Sequence, residues 1–158
     1  MNKPTKFKLV WTKEDKPIIE LVEKTDQKTL AKWAIDCAER VMPFFEQNFP
    51  KDKRPRNAIK TLQDWIDTGV FKMSVIRKAS LDAHSAARDV GKDNPARSAA
   101  RTAGQAVATA HVPTHSLGAA KYALQAVYRA TNPTDAEPSV AKERNWQYKH
   151  LCNLRKTK

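Results

Sequence analysis

The chain has 158 residues, 41% of them hydrophobic, and carries 29 lysines and arginines against 17 aspartates and glutamates. That length suits one domain with its own core, and that apolar content excludes a disordered chain. Only four glycines are present, too few for a barrel or sandwich that turns about every ten residues, and the apolar runs are too short to cross a membrane.

The net charge of +12 favours an anionic partner, whether nucleic acid, a membrane surface or an acidic protein. It is concentrated at residues 51–60 (Lys51, Lys53, Arg54, Arg56 and Lys60) and 142–158 (Lys142, Arg144, Lys149, Arg155, Lys156 and Lys158). Both clusters read equally as solvated helix faces, since neither interleaves aromatics or glycines with its cations. The opening Met1–Lys8 lacks an apolar core, so no secretory leader is expected. Cys37 and Cys152 lie far apart and suit a reducing cytoplasm.

In chain order, Thr12-Lys13-Glu14-Asp15 reads as a capping box opening a short helix through Leu21 and Val22. From about Asp26 to Phe49, Leu30, Trp33, Ala34, Cys37, Val41, Phe44 and Phe45 recur at helical spacing. Pro43 is expected to kink that helix, or to split off a last turn carrying Phe44, Phe45 and Phe49. Pro55 opens the next helix, through Ala58, Ile59, Leu62, Trp65 and Ile66, and Gly69 suits its left-handed cap. A helix over 72–90 is expected to turn Val75, Ala79, Ala83, Ala86 and Val90 inward and to close at Gly91. His84 lies off that face and reads as a boundary residue.

Asn94-Pro95 opens a further helix to about His111, and Thr114 caps another over 115–130. Alanine fills 12 of the 36 residues from Pro95 to Ala130, which lets two helix backbones approach closely. Opposite the alanines lie Arg97, Arg101 and Gln105. A last, more polar helix starts near Ser139 and carries Trp146, Tyr148 and Leu151. No segment alternates as a strand. The expectation is an all-α, compact single-domain bundle of five to seven helices over 1–158, with a flexible arm at 1–12 and a flexible tail at 153–158.

His111 and His115 are four apart, a zinc-ligand spacing, but Pro113 between them breaks the shared helix face. They read better as paired histidines at a helix junction. Cys37 sits mid-stripe and reads as a buried, inert thiol. The serines lie in no nucleophile-elbow setting, and there is no phosphate loop or dinucleotide fingerprint. No cofactor, metal or enzymatic activity is expected. Asp36 and Arg40, one turn apart, are expected to form an ion pair that organises the fold or helps to bind a partner.

Two blocks carry a resemblance. Trp33-Ala34-Ile35-Asp36-Cys37-Ala38-Glu39-Arg40-Val41, followed by Phe44-Phe45-Glu46 and Arg54-Pro55-Arg56, resembles the opening of a bacterial immunity-protein family, the Imm-5-like group. Ala99-Ala100-Arg101-Thr102-Ala103-Gly104-Gln105 through His111, with His115, Gly118-Ala119-Ala120 and Tyr122-Ala123-Leu124, is similar to the same family. The likeness covers about 28–130.

The resemblance implies a cytoplasmic antidote of a polymorphic-toxin system that binds and blocks a cognate toxin, and it brings no catalytic residues with it. Its motif residues are Asp36, Glu39, Arg40, Arg54, Arg56, Arg101, Gln105, His111 and His115. The basic charge implies an acidic toxin surface, expected to meet Arg54 and Arg56, and argues against a nuclease blocked by nucleic-acid mimicry. The alternative is a small basic helical protein that binds nucleic acid.

Overall fold

The computed structural model describes Phe7 and residues 9–157; most of the arm expected to be flexible at 1–12, and Lys158 of the expected tail, lie outside the described residues. Seven α-helices follow in order: α1 (Lys16–Glu23), α2 (Gln27–Glu46), α3 (Arg54–Thr68), α4 (Met73–Val90), α5 (Pro95–Ala108), α6 (His115–Ala130) and α7 (Ala136–Lys156). No strand occurs among the described residues. The chain is an all-α bundle.

The local signals that open and close these helices are in place. The Thr12 backbone N–H donates to Asp15 Oδ2 at 2.9 Å, fixing a short turn ahead of α1. Asp26 accepts from the Thr29 N–H at 3.1 Å, and Asn94 from the Arg97 N–H at 2.9 Å, so two of the exposed helix-end donors are satisfied. Gly69 and Gly91 close α3 and α4 at φ 71° and 82°, a conformation that costs a side chain dearly.

Several details differ from the sequence-based expectation. Pro43 does not split α2: the helix continues to Glu46, because Met42 and Phe45 on either side are buried and hold it to the core. On α4, Ile76 is buried while Val75 is exposed, so the inward face is rotated by one residue at its start. The helix from Pro95 ends at Ala108, and His111 lies in the turn beyond it. The Thr114 side chain makes no cap bond.

The last helix starts at Ala136 and docks firmly. Its Leu151 and Gln147 are fully buried, and the Trp33 indole N–H donates to the Gln147 carbonyl at 2.9 Å. Residues 153–156, where a loose tail is expected, form its final turn, and Arg155 there donates to the Lys24 carbonyl at 2.7 Å.

Helix α5 sits at the centre, against α2, α3, α4 and α6. None of its residues is exposed, and Ala99, Ala103 and Ala106 are completely covered. The small side chains produce this, as their methyl groups let four neighbours approach one helix. Its half-covered positions are Pro95, Arg97, Arg101, Gln105 and Ala108, and the last four form a stripe between α4 and α6. On the far side of the bundle, α1 and α7 form an outer layer, tied to α6 by a buried ion pair. Lys121 Nζ stands 2.7 Å from Asp15 Oδ2, and the Arg144 guanidinium 3.2 Å from Oδ1. Burial pushes the Asp15 carboxyl up, but the bonds from Lys121 and Thr12 outweigh it and hold it below the usual carboxylate range.

Candidate partner-binding site

The nine motif residues fall into three separate groups. The first lies where α2, α3 and α4 meet. Arg56 donates from Nε to Glu46 at 3.0 Å and from a terminal nitrogen at 2.7 Å, while its other nitrogen reaches both oxygens of Glu39. Arg54 grips Asp52 with two bonds, at 2.9 and 2.7 Å, and reaches Asp89 of α4 at 2.8 Å. Two arginines at a helix start oppose the helix dipole. Here the four surrounding carboxylates account for them, and both guanidinia staple neighbouring elements together.

The second group joins α2 to α7. The expected Asp36–Arg40 pair does not form. Asp36 instead accepts from Lys32 at 2.9 Å and stands 2.7 Å from His150 Nε2. Arg40 makes a two-pronged bond to Glu143, at 2.7 and 2.9 Å, and lies 3.9 Å from the centre of the Trp146 ring. Partners more than a hundred residues away win because Glu143 is nearly buried and needs a counter-charge.

The third group, on α4, α5 and α6, has a different electrostatic character. Arg101 donates to Nδ1 of His84 at 2.9 Å. A guanidinium only donates, so Nδ1 accepts and the His84 proton sits on Nε2. Burial, and then the charge of Arg101, lower the His84 pKa to about 4, so the ring is neutral at ordinary pH. Gly104 makes room for that ring: a Cβ there would meet His84 Nε2 at 2.7 Å. One turn along, His115 Nδ1 donates to Gln105 Oε1 at 2.9 Å, and Gly118 leaves space for the same Gln105 amide. Burial, then neighbouring His111, hold the His115 ring below its usual range. His111 itself is exposed, and its ring stacks at 6.2 Å with Phe71.

What sets this group apart is a missing counter-charge. Arg40, Arg54, Arg56, Arg97, Arg129 and Arg144 each meet a carboxylate, and Arg155 binds a backbone carbonyl and a threonine hydroxyl. Arg101 meets a neutral imidazole instead, and burial, with Arg97 and Arg88 nearby, depresses its pKa. A half-buried guanidinium without an anion is an electrostatic cost that an acidic partner would relieve. The sequence points to Arg101, Gln105, His111 and His115 but places His84 only as a boundary residue; its half-buried position agrees, and its bond to Arg101 is what the sequence does not show. The signal available was Gly104, a glycine inside an alanine-rich helix that needs a bulky neighbour to explain it.

Among the described residues, no three His, Cys, Asp or Glu side chains are grouped to hold a metal, and no helix is long and apolar enough to cross a membrane. Cys37 is fully buried, and burial raises its thiol pKa well above the usual value.

From residue 20 to residue 154 the chain matches the family described as Imm-5 like putative immunity protein. The chain belongs to this family. The match in this immunity-family protein runs from within α1 into the last turn of α7, beyond the stretch of about 28–130 that carries the sequence resemblance, and it takes in all three groups above. No curated protein and no solved structure matches the chain.

Proposed function

We propose that this protein is a cytoplasmic antidote that binds a cognate toxin of a polymorphic-toxin system and blocks it by protein–protein contact, without catalysis. The observation that carries this reading is the family match over residues 20–154. The chemistry agrees with it. His84 and His115 are engaged by Arg101 and Gln105 inside the helix packing, His150 is paired with Asp36, and Cys37 is sealed in the core. The toxin surface is acidic, because the protein is strongly basic and its α4–α5–α6 face holds a guanidinium without a carboxylate. Arg54 and Arg56 are poor contacts for it: four carboxylates of this chain already hold them, and a partner would have to displace those.

Co-expression tests the reading. The toxin domain encoded next to this chain should stop growth when expressed alone, and this chain should restore growth and co-purify with an inactivated form of that domain. No protection and no complex would sink it.

The nucleic-acid reading has one observation in its favour, a furrow on α7 lined by Lys142, Asn145, Lys149 and Asn153. Against it, the Trp146 ring in that furrow is engaged by Arg40 and stacks at 4.7 Å on His150, so it offers no open platform for a base. DNA binding that collapses between about 50 and 200 mM salt would reinstate it.

A further inference from the structure

Helix α4 carries a second stripe, of which the fold uses only His84. Arg77, Leu81, His84 and Arg88 follow one another at i, i+4, i+7 and i+11, which places them on one side of the helix, with Met73 one turn before them. Leu81 is 57% exposed, and it is the one exposed leucine in a helix among the described residues. Met73 and Leu81 form the apolar part of a shallow furrow that Ser74, Arg77, Lys78 and Asp82 complete, with Asp82 held by Lys78 at 2.6 Å so that Arg77 keeps its charge uncompensated. Val70 and Phe71, just before the helix, are also exposed, so five large apolar side chains lie open to solvent between residues 70 and 81 once Val75 is included.

The charge on this stripe is as unusual as its apolar exposure. Arg77 and Arg88 are exposed and, among the described residues, meet no carboxylate within ion-pair distance, and Arg101, tied to the stripe through His84, meets none there either. Every other arginine is engaged by a carboxylate or, for Arg155, by backbone and hydroxyl oxygens. The arginines that the fold leaves without an anion therefore share one face with its most exposed leucine. Apolar anchors beside uncompensated arginines are the composition of an interface centre and add nothing to a free surface. From Met73 to Arg88 the stripe spans about 22 Å of helix, enough to form the axis of a standard interface.

Resting on the antidote reading above, we propose that the Met73–Arg77–Leu81–Arg88 stripe of α4, with Arg101 beside it, is the toxin-docking surface. The partner it fits is a toxin face bearing carboxylates opposite Arg77, Arg88 and Arg101, with an aliphatic or aromatic side chain seated against Met73 and Leu81. His84 acts here as a positioning residue: it holds Arg101 at the edge of the stripe.

The test is binding of the inactivated toxin domain from the neighbouring reading frame to the purified chain and to Leu81→Asp, Arg77→Glu and Arg88→Glu, with Lys60→Glu on α3 as the control. The three side chains are exposed and unpaired, so helix content should stay at the wild-type value, and the unfolding midpoint should hold for Leu81→Asp and Arg77→Glu and fall slightly for Arg88→Glu, which reverses a last-turn cation of α4. Each change should weaken the complex at least about tenfold, the size expected of an interface anchor, and Leu81→Asp with Arg77→Glu should abolish protection in co-expression. Association of the wild type should also slow with added salt, and that dependence should shrink in Arg77→Glu. Lys60→Glu should bind as the wild type does. If the wild type binds and all three variants bind within about twofold of it, the docking surface is wrong and the antidote reading stands. If the wild type forms no complex, both fall. A dimer of the chain alone that Leu81→Asp dissolves would give this face to a second copy and overturn the proposal.

Discussion

The His84 imidazole lies so close to Gly104 that a Cβ at residue 104 would come within 2.7 Å of Nε2. That contact joins α4 to the central helix and brings Nδ1 to within 2.9 Å of Arg101. Two effects oppose each other in Gly104→Ala. Helix propensity favours alanine by about 1 kcal/mol, whereas overpacking a closed site costs about 1–3 kcal/mol. The ring is wedged between two helices and cannot move without losing Arg101, so overpacking should win and stability should fall by about 1 kcal/mol. With His84→Ala already in place the same substitution should reverse sign and stabilise by up to about 1 kcal/mol. Urea unfolding of the four proteins in this cycle measures both; a stabilising Gly104→Ala in the wild-type background would show that the ring is not held there.

The same pair sets a pH dependence. His84 is held to a pKa of about 4, first by burial and then by the charge of Arg101, against about 6.5 in an unfolded chain. Between those values the unfolded chain takes up a proton that the folded one refuses, so stability is complete above about pH 6.5 and falls as the pH drops toward 4. His115, also lowered by burial, adds to the loss in the same direction. His84→Gln should therefore flatten the fall in stability between about pH 7 and pH 5 without removing it. Nitrogen NMR of the ring at pH about 6 should find it neutral with its proton on Nε2; a protonated ring there would contradict the geometry.

Much of the fold was legible because its signals are local. Asp26, Asn94, Gly69 and Gly91 each act within a few residues of their own position, and the alanine face of α5 shows its burial through composition alone. The site was less legible because its partners are distant in sequence. Asp36 and Arg40 have ideal spacing for an ion pair, yet His150 and Glu143 claim them from α7. His84 reads as a boundary residue until Gly104, twenty positions later, is seen to open space for it. Pro43 does not split off a last turn for a related reason: a missing helix bond is a local loss, while the burial of Met42 and Phe45 is a tertiary gain that outweighs it.

Arg56 decides between two places where an acidic partner could meet this chain. Its guanidinium spans Glu46 and Glu39, so it fixes α3 against α2, and its side chain is 36% exposed. Arg56→Lys keeps the charge but loses the planar fork, since an ammonium cannot face both carboxylates in the same geometry. Because water screens the pair, the loss in stability should be modest, about 1 kcal/mol, rather than the larger figure for a sealed pair. If the corner is a fold staple and the toxin docks on α4, Arg56→Lys should lower the unfolding midpoint while leaving toxin affinity within about twofold, because few residues outside the centre of an interface affect binding. The opposite pattern, unchanged stability with affinity weakened by about tenfold or more, would move the contact to the corner of α2 and α3. Calorimetric binding and thermal unfolding on the same variant separate the two outcomes, because one side chain cannot serve chiefly the fold and chiefly the partner at once.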